Sequence, residues 1–312
     1  MRYGLTSGIL WGLDTVVLGI ALSWAPFIGT VEAIAYAAIA SSFLHDFFCA
    51  AWLFAYMAIR NRLKDTLRAL KTKSGLVVIA GALLGGPIGM TGYVIAINNI
   101  GAAYTAIISA FYPALGAFLS FLLLKERMSR GQIIALIVAL LGVMAVGYIS
   151  AGDSTLNNPV IGLVGAALTV IGWGSEAVLC AWGMRDDAVD NETALQIRET
   201  SSAIVYALVV LPLFGAWGFT VQAAPTAATG IIALSGLAGA ASYLFYYKGI
   251  STIGAAKSMA LNISYSAWAV AFGFILQGTI PSAASIICCI VILVGTILAA
   301  SDWEELFAGA HK

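Results

Sequence analysis

Apolar residues fall in ten long runs separated by short polar stretches, at 4–23, 34–59, 75–97, 102–124, 131–150, 160–183, 194–214, 227–247, 257–276 and 282–300. A helix needs about 20 apolar residues to cross the hydrocarbon core of a bilayer, and each run is near that length. Backbone in hydrocarbon must satisfy its own hydrogen bonds, so the runs are predicted as helices. They are continuously apolar rather than alternating, which argues against a β-barrel. The pattern predicts an all-α membrane protein with ten transmembrane helices.

The polar positions between the runs are one-sided. Arg60, Arg62, Lys64, Arg68, Lys71 and Lys73 follow the second run, and Lys125, Arg127 and Arg130 follow the fourth. Arg185 follows the sixth, Arg198 lies at the start of the seventh, and Lys248 and Lys257 flank the turn after the eighth. With Arg2 and Lys312 at the ends, all fifteen Lys and Arg residues fit on one face, leaving Glu32 and Asp153 on the other. Lys/Arg bias sets membrane orientation. Both termini are therefore expected in the cytoplasm, and the protein in a bacterial-type inner membrane. Met1-Arg2 and the following run, interrupted by Asp14, are read as an uncleaved first span, although Ala21-Leu22-Ser23 resembles a cleavage site.

Composition narrows the function classes. Hydrophobic residues make up 61% of the 312 residues and charged ones 10%, against about a quarter charged in soluble domains. No room remains for a separate soluble domain, and a net charge of zero gives no reason to expect nucleic acid. Cys49, Cys180, Cys288 and Cys289 lie in apolar runs without metal-like spacing and are read as packing residues, so no metal or cofactor is expected. There is no His-Glu-x-x-His and no Gly-x-Ser-x-Gly, so an intramembrane enzyme is the weaker alternative.

The chain repeats itself at an offset of 153 residues. Ile100-Gly101-Ala102-Ala103 returns as Ile253-Gly254-Ala255-Ala256, and Tyr93, Tyr112, Phe121 and Gly142 return as Tyr246, Tyr265, Phe274 and Gly295. His45-Asp46 then aligns with Arg198-Glu199; with a shorter first connection, Trp11-Gly12 and Asp14 align with Trp173-Gly174 and Glu176. The expected organisation is two five-helix halves, 1–150 and 151–312, the second followed by a short cytoplasmic tail. Five is odd, so the second half enters from the opposite face, giving the inverted-topology repeat of many secondary transporters.

The Trp11-Gly12 and Trp173-Gly174 pairs, Pro113, and the segment from Leu124-Lys125-Glu126 to Gln132 carry a resemblance to the drug/metabolite transporter superfamily of the EamA type. That segment resembles the family's acidic turn between the fourth and fifth spans, followed by a Gly-bearing helix, here Gly142. Within the superfamily the chain is most similar to amino-acid exporters, including the YddG-type exporters of aromatic amino acids. The resemblance implies a central cavity lined by spans 1–4 and 6–9, with spans 5 and 10 as outer scaffold. Two positions depart from it: Thr279 and Pro281 stand where a second acidic turn would be, and Ser266 stands where the first half has Pro113.

Ionisable groups within a span are costly, about 2.5–3.5 kcal/mol on insertion scales, and mark functional sites by default. Asp14, His45, Glu176 and Arg198 are the substrate or cavity candidates, and their repeat-related positions suggest that they converge. Asp46 and Glu199 are the acidic neighbours, with His45 favoured over Asp46 as cavity-facing. Arg198 and Glu199 are also within snorkelling reach of the surface. The aromatic candidates are Trp11, Tyr93, Tyr112, Trp173, Tyr246 and Tyr265, which give an apolar wall with a polar handle, although core packing would use them equally well. Gly4, Gly8 and Gly12, and Gly81, Gly85 and Gly89, recur every four residues and suit close helix contact. Gly85, Pro87, Gly89 and Pro113 are the gating or hinge candidates. The expected function is export of small amphiphilic metabolites, amino acids first, by alternating access. Efflux of hydrophobic cations is the alternative. Expected partners are the small-molecule substrate, the bilayer and, as a candidate coupling ion, the proton. A monomer is expected, with a homodimer as the alternative.

Overall fold

The computed structural model describes residues 1–149, 158–185 and 189–302. Asp153, His311, Lys312 and the half boundary at 150/151 lie outside the described residues. Among the described residues, ten helices are long and apolar enough to cross a membrane: α1 (Arg2–Leu22), α2 (Val31–Ile59), α3 (Lys73–Gly101), α4 (Ile107–Leu124), α5 (Arg130–Ile149), α6 (Pro159–Gly183), α7 (Asn191–Phe214), α8 (Ala227–Ile253), α9 (Ala255–Gln277) and α10 (Ala283–Ala300). Every predicted span has its helix. The largest boundary change is α8, which runs six residues past the predicted end and carries the exposed Lys248 within its last turns. A long basic side chain can sit on a helix end with its stem on apolar surface, so charge marks the end of a span only loosely.

The repeat extends to the backbone. Gly101, between α3 and α4, has φ 78° and ψ 164°, and Gly254, between α8 and α9, has φ 89° and ψ 162°. That region is open essentially to glycine alone, so each glycine turns the chain from one helix into the next without a loop. Lys125 and Gly278 both end their helices in the left-handed region. Ser129 and Ser282 then cap α5 and α10, accepting from the backbone N–H of Gln132 and Ser285. Gln132 returns a bond to the Ser129 N–H at 2.7 Å, completing a capping box. All four pairs keep the offset of 153.

α4 and α9 are both broken near mid-span, at Ala110–Phe111 and at Ile263–Ser264. Pro113 explains the first break, because its ring excludes the carbonyl four residues back. The second survives with Ser266 in the proline's place. Its N–H reaches only to Ile263 O, at 3.3 Å. The break therefore belongs to the repeat rather than to the proline. Separately, α3 widens to π geometry over Leu84–Met90, around Pro87.

The halves interlock through their first helices. α1 packs on α8 and α9 of the other half, and α6 packs on α3 and α4. The glycine stripes lie at these contacts. Gly4, Gly8 and Gly12 face Leu261, Ser264 and Trp268 of α9, while Gly81, Gly85 and Gly89 face Cys180, Glu176 and Trp173 of α6. α5 and α10 pair along Gly142 and Gly295, which face Ile292 and Ala139.

Candidate functional site

Two buried ion pairs occupy the repeat-related positions. In the first half, His45 Nε2 of α2 lies 3.1 Å from the Asp14 carboxylate of α1. In the second, Arg198 Nε of α7 donates to Glu176 Oε1 of α6 at 2.7 Å. Asp14 is eight residues from the end of α1 and Glu176 seven from the end of α6. At about 1.5 Å per residue, the pairs sit about 12 and about 10 Å from opposite faces, as inversion requires. A serine of α8 supports the first pair, since the Ser235 hydroxyl donates to Asp14. Tyr243 of α8 supports the second: Arg198 Nη2 donates to its hydroxyl at 3.2 Å, and the guanidinium carbon lies 4.7 Å from its ring centroid.

Asp46 joins the pairs into one cluster. Its carboxylate is 3.6 Å from His45 Nδ1 and 3.9 Å from Arg198 Nη1, and accepts from the Ser202 hydroxyl at 2.5 Å. Glu199 lies 2.8 Å from Arg198 Nη1. Thus His45 and Asp46, about 100° apart on one helix, both reach the cluster, one toward α1 and the other toward α7. Arg198 is 3% exposed and Glu199 is fully buried, so neither reaches the surface. The space comes from glycine. A Cβ on Gly85 would run into the Glu176 side chain, and one on Gly239 would lie 2.9 Å from His45 Nε2. Nothing in the pattern of apolar runs singled out Gly239, Ser202 or Ser235, whereas Tyr243 stood among the aromatic residues of the spans; Gly239 could have been found as the repeat mate of Gly86.

A cavity of about 500 Å³ lies beside this cluster. Its floor is formed at the two helix breaks by Ala110 and Tyr112 of α4 and Ile263 and Tyr265 of α9, with Tyr93 and Trp173 beside them. Its rim runs through Gln277, Thr279 and Pro281, so it opens on the face opposite the basic residues. No charged side chain lines it among the described residues. Tyr93, Tyr112, Trp173 and Tyr265 therefore face the cavity, whereas Trp11, Asp14, His45, Glu176, Arg198 and Tyr246 do not line it. Trp11 meets Tyr243 and Tyr265 edge-on at 4.8 and 6.5 Å, and so stands between the cluster and the cavity floor. α5 contributes Leu140, Val143 and Val146 to the wall, while α2, α7 and α8 contribute nothing. This lining departs from the one implied by the resemblance: α5, and Ser285 of α10, join the wall, and the charged helices lie behind the aromatic layer.

The basic face is closed by contacts between the halves. The Glu126 carboxylate, in the α4–α5 turn, accepts from the backbone N–H groups of Ala255 and Ala256 at 3.0 Å each, at the start of α9. An anion is favoured there by the unpaired N–H groups and the helix dipole. Arg62, after α2, pairs with Asp190 at 2.6 Å and with Glu192 at the start of α7; Arg60 pairs with Glu192 at 2.7 Å. Partial burial pulls the Asp190 carboxyl up, but hydrogen bonds from the Thr193 N–H and from Arg62 hold it below the usual carboxylate range. Arg185 donates to Leu124 O at 2.5 Å.

Comparison with known proteins agrees with this architecture. Residues 2–148 match the EamA-like transporter family, as the sequence resemblance implied. The chain is 31% identical to protein LicB of Haemophilus influenzae over 200 residues, which span 62% of this chain and 64% of LicB. A solved crystal structure shares the fold over 100% of this chain and 98% of its own, with a TM-score of 0.71 and 20% identity.

Proposed function

We propose that the chain is a secondary transporter that moves small amphiphilic metabolites, amino acids first, across the inner membrane by alternating access. Both termini would lie in the cytoplasm, so that the present state is open to the outside. One observation carries this proposal: repeat-related surfaces are open on one face and latched on the other. Exchange of the two arrangements would turn the cavity over. The tyrosine and tryptophan floor suits a solute with an apolar body; His45 or Arg198 for a zwitterion's carboxylate, and Asp14 or Glu176 for its ammonium group, lie behind that floor and would be reached only as the cavity turns over.

A second substrate class, organic cations, has its own support. The cluster holds the carboxylates Asp14, Asp46, Glu176 and Glu199 against Arg198 and His45, and both basic groups are already engaged. Counterflow in proteoliposomes preloaded with single amino acids, with and without a pH gradient, tests the first class. Tetraethylammonium in the same assay tests the second. Uptake of an amino acid supports the first proposal, uptake of the cation alone moves the assignment to the second, and no counterflow with either removes the transporter assignment.

A further inference from the structure

Within the charged cluster, one guanidinium serves three carboxylates. Arg198 faces Glu176 at 2.7 Å, Glu199 at 2.8 Å and Asp46 at 3.9 Å, while His45 is held by Asp14. Burial of an unneutralised charge in a span is strongly unfavourable, so the carboxylates cannot all be ionised together. Their surroundings differ. Glu176 accepts from Arg198 Nε and from the Tyr247 hydroxyl at 3.5 Å, and Asp46 accepts from Ser202 at 2.5 Å. Glu199 is fully buried, and neither of its oxygens accepts a hydrogen bond from the described residues. Arg198 Nη1, its nearest cation, is not aligned to donate to it and has itself no hydrogen bond among the described residues.

The groups around Glu199 are fixed by the fold. α2 presents His45, Asp46 and Cys49; α6 presents Glu176; α7 presents Arg198; and α8 presents Tyr243. α3 has no ionisable side chain between Ser74 and Gly92. The excess of carboxylates, and the absence of a donor on this one, converge on the same atoms.

We propose that Glu199 is a proton-binding site and holds the coupling proton of the transport cycle. This rests on the transporter assignment for the word coupling, but not for the site itself. The step adds one proton to a carboxylate oxygen, forms one O–H bond and changes no oxidation state. With Glu199 neutral, Arg198 is left to Glu176 and Asp46, which already have further donors. Protonation would thus decide how tightly α7 is tied to α2 and α6.

Infrared spectroscopy of the purified full-length protein in lipid reads the site without any transported solute. The wild type is expected to show the carbonyl band of a protonated carboxylic acid at neutral pH, shifted in heavy water and lost on titration to alkaline pH. Glu199→Gln should lack it, while Glu176→Gln and Asp46→Asn should retain it. No such band in the wild type, or a band that survives in Glu199→Gln, overturns the site. Should Glu199→Gln not fold, Glu199→Asp must move the titration midpoint, and an unmoved midpoint overturns the site as well. Coupling is read separately, as acidification or alkalinisation of pyranine-loaded proteoliposomes driven by an amino acid or by tetraethylammonium. Solute-driven proton flux unchanged in Glu199→Gln overturns the coupling role. Absence of all counterflow in the wild type defeats the transporter assignment and with it the coupling, while the band still decides the site.

Discussion

In the first half, the α4–α5 turn carries Glu126, whose carboxylate binds the first N–H groups of α9 across the boundary between the halves. In the second half, the matching position is Thr279, which instead lines the cavity rim. The preceding residues, Lys125 and Gly278, have nearly the same dihedral angles, and Ser129 and Ser282 cap in the same way. The difference is therefore chemical, not geometric. A carboxylate accepts two bonds and carries the charge a helix start favours; a threonine hydroxyl offers one neutral acceptor. The same contrast holds between the ion pairs, where Arg198 gathers three carboxylates while His45 chiefly serves Asp14. Two copies of one backbone thus meet opposite faces with unequal strength, and the basic face closes more firmly.

The largest test of this inequality is at the ion pairs. Arg198→Leu should destabilise the protein by about 3–5 kcal/mol, because it strands buried carboxylates. His45→Leu should cost less, about 1–3 kcal/mol, since Asp14 keeps the Ser235 hydroxyl. Unfolding in mixed micelles with increasing denaturant would rank them, and equal losses would show that the two pairs are equivalent after all. Next come the glycine turns. Alanine at Gly101 or Gly254 should cost about 1–3 kcal/mol for the backbone conformation. Gly254→Ala should cost more, because its Cβ would lie 2.8 Å from the Glu126 carboxyl carbon. Were Gly101→Ala the worse of the two, the latch would not be the feature that separates the halves. The smallest effect is at the latch itself. Glu126→Gln should weaken the basic-face closure by about 0.3–1 kcal/mol, and Thr279→Glu should shift the balance the same way by strengthening the opposite closure. A cysteine at Ser266 in a background lacking Cys288 and Cys289 reports this through an impermeant thiol reagent. In either variant the ratio of the open to the closed arrangement should fall about two- to fivefold, and labelling from the face opposite the basic residues should fall with it.

Much of this was legible in the sequence. Apolar runs near the length of a bilayer crossing gave all ten helices, and the offset of 153 tied Tyr112 to Tyr265 before the backbone showed a helix break beside each. The α9 break itself carried no proline and no local signal, so only the repeat pointed to it. Arg198 lies seven residues into its helix, where a basic side chain ordinarily snorkels. Its burial depends on Glu176, Asp46 and Tyr243, which come from three other helices, and no local window contains them. Glu126 was visible as part of an acidic turn, but its partner is a pair of backbone N–H groups, which leave no mark in a sequence. The cavity wall was misjudged at α5 for a related reason. Which helices line a cavity depends on which face is open, and the amino-acid pattern does not record that.

α1 precedes α8 and α9 in the chain, yet its glycine face is fitted to them. Asp14 can meet His45 once α2 has followed, but Ser235 and the helix surfaces that fit the glycines arrive only with α8 and α9. A chain stopped after α5 would contain every residue of the first repeat and still lack the surface on which its own first helix rests. The interlock therefore makes completion of the first half's packing depend on the second half.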